Sequence, residues 1–187
     1  LPRGRAVKAL VHTGPLRLEY TDRPDPAAGP GDVLVRVEAV AICGSDVHGY
    51  TGTTGRRIPP VIMGHEAAGV VEASGPGAEA WVSGTRVTFD SIVWCGVCPP
   101  CQAGRTNLCV IRQTFGVSTP AFRRDGAMAE YVVVPARLLH RLPDELSFDE
   151  QLNSSRRFMR ELNRLGVTSV IDARGVFQNY PDDYKVI

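Results

Sequence analysis

Apolar residues in the first 150 positions recur in short runs with a period of two. That is the spacing of half-buried strands rather than of helices. Val7 to Val11 is one such run, and Leu16, Leu18 and Tyr20 alternate with Arg17 and Glu19, which predicts a half-buried strand over 16–20. Residues 22–32 (DRPDPAAGPGD) are rich in Pro and Gly and read as a loop. Alternation resumes with Val33, Val35 and Val37 opposite Leu34, Arg36 and Glu38, in a strand expected to reach Ile42. Further strands are expected over 66–74, 85–89 and 129–134, the last stopped by Pro135. No internal repeat of about 20–50 residues is visible.

The pattern changes near residue 147. Ser147 with Glu150 three residues on is a capping box, Leu152, Phe158, Met159, Leu162 and Leu165 follow at helical spacing, and Gly166 is a plausible stop. A helix is therefore expected over 148–165 and a short buried strand over 167–171. Residues 1–150 read as one β domain and 151–187 as a helix–strand tail without cysteine or histidine.

Composition supports a turn-rich, mainly β chain: 19 Gly and 14 Pro among 187 residues. The charge balance, 21 Lys+Arg against 20 Asp+Glu, argues against a strongly basic nucleic-acid binder and against an acidic disordered tail. The arginine pairs Arg56–Arg57, Arg123–Arg124 and Arg156–Arg157 are scattered and read as solvated surface. Apolar runs such as Val132–Val134 fall far short of the roughly 20 residues that cross a bilayer. The N-terminus has no apolar signal region and begins at Leu1 rather than Met. The expectation is a cytoplasmic protein with neither a nucleic-acid nor a membrane partner.

Cysteine placement changes the picture. Cys43 stands apart, while Cys95, Cys98, Cys101 and Cys109 have the spacing C-x2-C-x2-C-x7-C. Four cysteines so close together, in a chain without a signal segment, point to a reducing compartment and a metal rather than a disulfide framework. Tight turns let neighbouring thiolates converge on one tetrahedral zinc, and a site closed by four thiolates is structural. Disulfides and an iron–sulfur cluster are the alternatives; the seven-residue gap and Val110 after the last cysteine fit the usual cluster spacing poorly.

A second set is dispersed. Cys43-Gly-Ser45-Asp46-Val-His48 follows one expected strand and Gly64-His65-Glu66 precedes another. One Cys, one His and one carboxylate make a three-ligand zinc set with an open fourth position, able to act as a Lewis acid. Taken singly, each has an ordinary reading: a buried inert cysteine, a hydrogen-bonded histidine, a surface glutamate.

Together, Cys-Gly-Ser-Asp-x-His, Gly-His-Glu and the four-cysteine lobe resemble the zinc-dependent medium-chain alcohol dehydrogenases, most closely the sorbitol or polyol branch. The resemblance runs over about residues 6–150 and also takes in 29–37 (GPGDVLVRV) and 125–131 (DGAMAEY). It implies a GroES-like, partly open β-barrel with a zinc lobe. It implies that Cys43, His65 and Glu66 hold a catalytic zinc and that Cys95, Cys98, Cys101 and Cys109 hold a structural one. Ser45 and then His48 would relay the alcohol proton, and Asp46 would orient His65. The reaction would oxidise a small alcohol or polyol with NAD(P). Thr85, in Gly84-Thr85-Arg86-Val87, departs from the Asp usual in the family and would loosen a turn.

Beyond 150 the resemblance stops. No strand followed by G-x-G-x-x-G appears. Residues 75–80 (GPGAEA) fit G-x-G-x-x-A on paper but lead into Trp81-Val-Ser-Gly84 rather than a helix. Residues 161–173 are similar to one helix–strand step of a barrel amidohydrolase, without that family's histidine motifs. These features lead us to expect a truncated or chimeric chain with no nicotinamide turnover by itself, and self-association through the surface a missing Rossmann domain would leave. The alternatives are a non-catalytic zinc-stabilised domain, or a recombined chimera with no enzymatic role. A zinc hydrolase is a weaker reading, for lack of a base.

Overall fold

The computed structural model describes residues 6–143. The expected helix over 148–165, the strand over 167–171 and the boundary at 150 lie outside the described residues. Strands β1 (Ala6–Gly14) and β2 (Arg17–Pro24) form a hairpin, and β3 (Asp32–Val40) runs into helix α1 (Gly44–Tyr50). Strands β4 (Val61–Ile62), β5 (Ala67–Ser74) and β6 (Arg86–Phe89) follow. Strand β7 (Ile92–Val93) enters a lobe that holds α2 (Pro99–Gln102) and a 3-10 turn (Thr106–Leu108), and β8 (Gln113–Thr114) leaves it. Strands β9 (Val117–Ser118), β10 (Arg123–Arg124), β11 (Tyr131–Pro135) and β12 (Leu139–Arg141) end the described chain.

The main sheet has the order β11-β3-β5-β6-β12, and a smaller one has the order β2-β1-β4. All strand pairs are antiparallel. The architecture is mainly β, as expected, but among the described residues the sheets do not close into a barrel. The core lies on the main sheet, where Val33, Val35, Val71, Val87, Val134, Leu138 and Phe115 are almost wholly buried. Each such side chain removed from water contributes roughly 1.5–3 kcal/mol. Phe115 packs on Phe89 with ring centroids 5.0 Å apart.

Several sequence readings need correction. Residues 16–20 are exposed rather than half-buried, and Leu16 is a turn residue with φ of 60°. Strand β2 continues to Pro24, into the expected loop, because residues through Pro24 pair with β1. Leu34 is buried along with Val33 and Val35, so the alternation does not hold at the start of β3. Strand β11 does end at Pro135, which is its last paired residue. This proline pairs with Asp32 on the edge strand, where a missing N–H costs no ladder bond. Residues 75–80 form turns after β5, with the Gly75 amide bonded to the Asp32 carbonyl at 2.8 Å, and no helix follows. At Thr85, where the family usually has Asp, the hydroxyl donates to the Val82 carbonyl at 2.7 Å. Among the described residues, no helix is long and apolar enough to cross a membrane.

Candidate metal centres

The register of β3 on β5 builds the first site. Val40 pairs with Ala67, and the Ala41 amide donates to the Glu66 carbonyl at 2.8 Å. The residues just past the end of β3 therefore lie beside those just before β5, which brings Cys43 to His65 and Glu66. Gly64 makes the approach possible with φ of 91°, a conformation in which a side chain is strained. A Cβ there would also meet the Met128 amide nitrogen at 3.0 Å.

The Cys43 thiol, one His65 ring nitrogen and one Glu66 carboxylate oxygen lie within 4.8 Å of one another. Donors around a tetrahedral zinc at about 2.3 Å stand ~3.8 Å apart, so the three fit one ion with modest adjustment. Cys43 caps α1, and its amide donates to Asp46 Oδ2 at 3.1 Å. Ser45 Oγ stands 3.3 Å from His65 Nε2. His48 sits one turn further along α1, half-buried, and its carbonyl accepts the hydroxyls of Thr51 and Thr53.

Asp46 is buried beneath the site. Its Oδ1 lies 3.4 Å from His65 Nδ1 and 3.3 Å from the Arg57 guanidinium. Asp46 holds the His65 imidazole above the usual histidine range, against the opposing effect of burial. Burial pushes the Asp46 carboxyl up, but His65, the Cys43 amide and Arg57 together outweigh it and leave its pKa lowered. Sequence reasoning missed α1 and Arg57. The Arg56–Arg57 pair was expected on solvated surface, yet Arg57 is buried and charge-paired. No local pattern marks it, since its burial depends on a partner eleven residues away.

These shifts make a pH prediction for the metal-free chain. Stabilisation from a raised His65 pKa is fully present below the ordinary histidine pKa and lost as pH rises through the raised value. Stabilisation from a lowered Asp46 pKa is present above the ordinary carboxylate range and lost as pH falls through the lowered value. Urea midpoints measured with chelator present should therefore fall on both sides of a plateau, and Asp46→Asn should remove both slopes. An unchanged pH profile in that variant would contradict the pairing.

The second site is the lobe between the paired strands β7 and β8. The Cys95, Cys98, Cys101 and Cys109 thiols also lie within 4.8 Å of one another, and all are free. Cys95 Sγ accepts the Cys98 amide at 3.4 Å, and Cys109 Sγ accepts the Cys95 amide at 3.3 Å. The amides of Val110 and Cys101 lower the Cys98 thiol to about 6, while burial, followed by the neighbouring thiols, pushes Cys101 to about 12. Such a cluster cannot carry four negative charges unaided. A divalent cation removes the conflict, so the donor set fits zinc. Val97, Leu108, Val110 and Ile111 on this lobe are exposed, so little apolar core supports it.

Comparison with known proteins shows the family and the fold. The Alcohol dehydrogenase GroES-like domain family matches residues 29–144. An L-threonine 3-dehydrogenase of Anaeromyxobacter sp. (strain Fw109-5) is 47% identical over 67% of this chain and 36% of its own length. The structure of the alcohol dehydrogenase rspB from E. coli CFT073, complexed with the cofactor NADH, superposes with a TM-score of 0.69 at 36% identity. That match covers 77% of this chain and 40% of the relative. A cobalt- and zinc-bound thermostable alcohol dehydrogenase from Pyrobaculum aerophilum gives 0.67 at 31% identity, over 76% and 43% of the two chains. The chain thus spans about two fifths of the relatives it matches.

Proposed function

Because the chain belongs to the alcohol dehydrogenase family through its GroES-like domain, we propose that residues 6–143 are the metal-bearing catalytic segment of an NAD(P)-dependent dehydrogenase. The substrate class is a small polar molecule with an oxidisable hydroxyl, such as a polyol or a hydroxy amino acid. The observation that carries the reading is the convergence of Cys43, His65 and Glu66 from two chain segments, in a chain that has a separate four-cysteine cluster. Cys43, His65 and Glu66 would hold a catalytic zinc, and Cys95, Cys98, Cys101 and Cys109 a structural one. A zinc in the first site supplies Lewis acidity toward an alcohol oxygen.

The chain's own groups have separable roles. Ser45 Oγ, 3.3 Å from His65 Nε2, stands at the open side of the site and can accept the hydroxyl proton of a bound alcohol. His48, three residues on along the helix, would pass that proton outward. Asp46 fixes the His65 ring through Nδ1, leaving Nε2 toward the metal position. Hydride transfer needs a positioned nicotinamide.

The test is a domain exchange. Residues 6–143 would replace the matching segment of the Anaeromyxobacter L-threonine 3-dehydrogenase, so that the relative supplies the nicotinamide site. NAD-dependent oxidation of threonine or a polyol by the exchange protein supports the reading. A folded, zinc-loaded exchange protein inactive toward every small alcohol tried would favour a zinc-stabilised domain without catalysis.

A further inference from the structure

Arg57 has 7% of its surface exposed, and among the described residues its ion pair is with Asp46. One guanidinium nitrogen lies 3.3 Å from Asp46 Oδ1, and another donates to the Arg56 carbonyl at 3.2 Å. The oxygen that faces Arg57 is the same one that faces His65 Nδ1, at 3.4 Å. The other carboxylate oxygen takes the Cys43 amide. Asp46 is thus held from three sides, by the segment bearing one candidate ligand, by the ring of a second, and by a fixed cation.

The cation itself is anchored. Arg57 bridges to Ser118 of β9. The Ser118 amide donates to the Arg56 carbonyl at 3.1 Å, and the Ile58 amide donates to the Ser118 carbonyl at 3.1 Å. Its aliphatic stem crosses α1 at Gly49, where a Cβ would collide with Arg57 Cγ and come within 3.3 Å of its Cβ and Cδ. Gly49 is the next-to-last residue of α1, and its missing side chain leaves the channel through which the arginine reaches Asp46. Burying a guanidinium is costly unless it is paired, and the pairing here is with that one carboxylate.

We propose that Arg57, admitted by Gly49, is a positioning residue for the catalytic metal site: it fixes Asp46, which fixes the His65 ring. The inference rests on the reading of Cys43, His65 and Glu66 as metal ligands. A buried arginine that merely braced the segment between α1 and β4 would affect stability alone. One that positions His65 also sets the affinity of that site and leaves the lobe untouched.

The experiment is cobalt(II) and zinc binding to the full chain, with zinc affinities read by competition with a chromophoric chelator. Cobalt absorption separates the four-thiolate lobe from a site with a single thiolate. Arg57→Met is expected to weaken the Cys43 site by about 10–100-fold, the range for lost partners of metal ligands, with lobe affinity unchanged. Gly49→Ala should weaken the same site although every charge is kept, and Arg57→Lys should recover part of the loss. Arg57→Met combined with Asp46→Asn should bind no more weakly than Asp46→Asn alone.

Wild-type affinity in Arg57→Met and Gly49→Ala, or independent effects of Arg57→Met and Asp46→Asn, would overturn the inference. Should Arg57→Met not fold, Gly49→Ala and Arg57→Lys decide it. A wild-type chain that takes up only the lobe metal is a different result: it refutes the ligand reading and this inference with it. Two bound metals with an indifferent Arg57 would leave the ligand reading standing and refute the inference alone.

Discussion

Replacing Cys43 with alanine is expected to lower the zinc content of the purified chain from two ions to one. Removing the thiolate leaves His65 and Glu66, two donors on adjacent residues, which cannot enclose an ion that prefers four ligands. The lobe draws on Cys95, Cys98, Cys101 and Cys109 alone and should keep its metal. In the domain-exchange enzyme the same change should lower kcat/KM by at least about a thousandfold, since the Lewis acid is lost with the ion. The cost to folding should be small. Cys43 caps α1 with no side-chain cap bond, and a lost helix cap costs about 1 kcal/mol even when that bond exists. Elemental analysis and a thermal melt of one preparation decide the matter. Two zincs in Cys43→Ala would refute the ligand assignment, and a collapsed melting temperature would make Cys43 a structural residue.

Replacing Cys101 with serine should have the larger effect on stability. Cys101 is buried in the lobe, and burial pushes its thiol up to about 12. The segment between β7 and β8 has only the four-residue α2 and one 3-10 turn, and it exposes Val97, Leu108, Val110 and Ile111. On the proposed reading, metal binding would supply most of its order. In small zinc peptides that contribution reaches roughly 10–16 kcal/mol. With three thiolates left and β7–β8 only two residues long, the lobe should open, and the thermal midpoint should fall by on the order of 10 °C. A strong chelator should reproduce the change in the wild-type chain, and added zinc should reverse it. A chelator with no effect, together with fewer than five reactive thiols under denaturing conditions, would return the lobe to the disulfide reading.

Both sites were visible in the sequence, to different depths. The lobe was the clearer, because its four thiols lie within 15 residues and C-x2-C turns bring consecutive sulfurs together whatever surrounds them. Cys43, His65 and Glu66 could be named but not joined by spacing alone. Resemblance to the family supplied the grouping, and the register of β3 on β5 accounts for it physically. The strand pattern located β1, β2, β3, β5, β6 and β11, with β2 running on past its expected end. It missed the three-residue β12 and the two-residue strands β4, β7, β8, β9 and β10, because two or three residues carry no period. Helix α1 was missed for a related reason: seven residues containing two glycines and a serine show no apolar stripe.

The sequence by itself determined a mainly β chain, a self-contained thiol lobe, and the donor types of a second candidate site. These follow from local rules: the two-residue period of a pleated strand, and the short reach of a turn between neighbouring cysteines. Only the tertiary structure decided that Arg57 is buried and where its charge goes. That outcome required β9 to anchor the backbone, Gly49 to leave room for the stem and Asp46 to balance the charge. Those residues come from three separate segments, and burial is a property of what surrounds a side chain rather than of its neighbours in sequence.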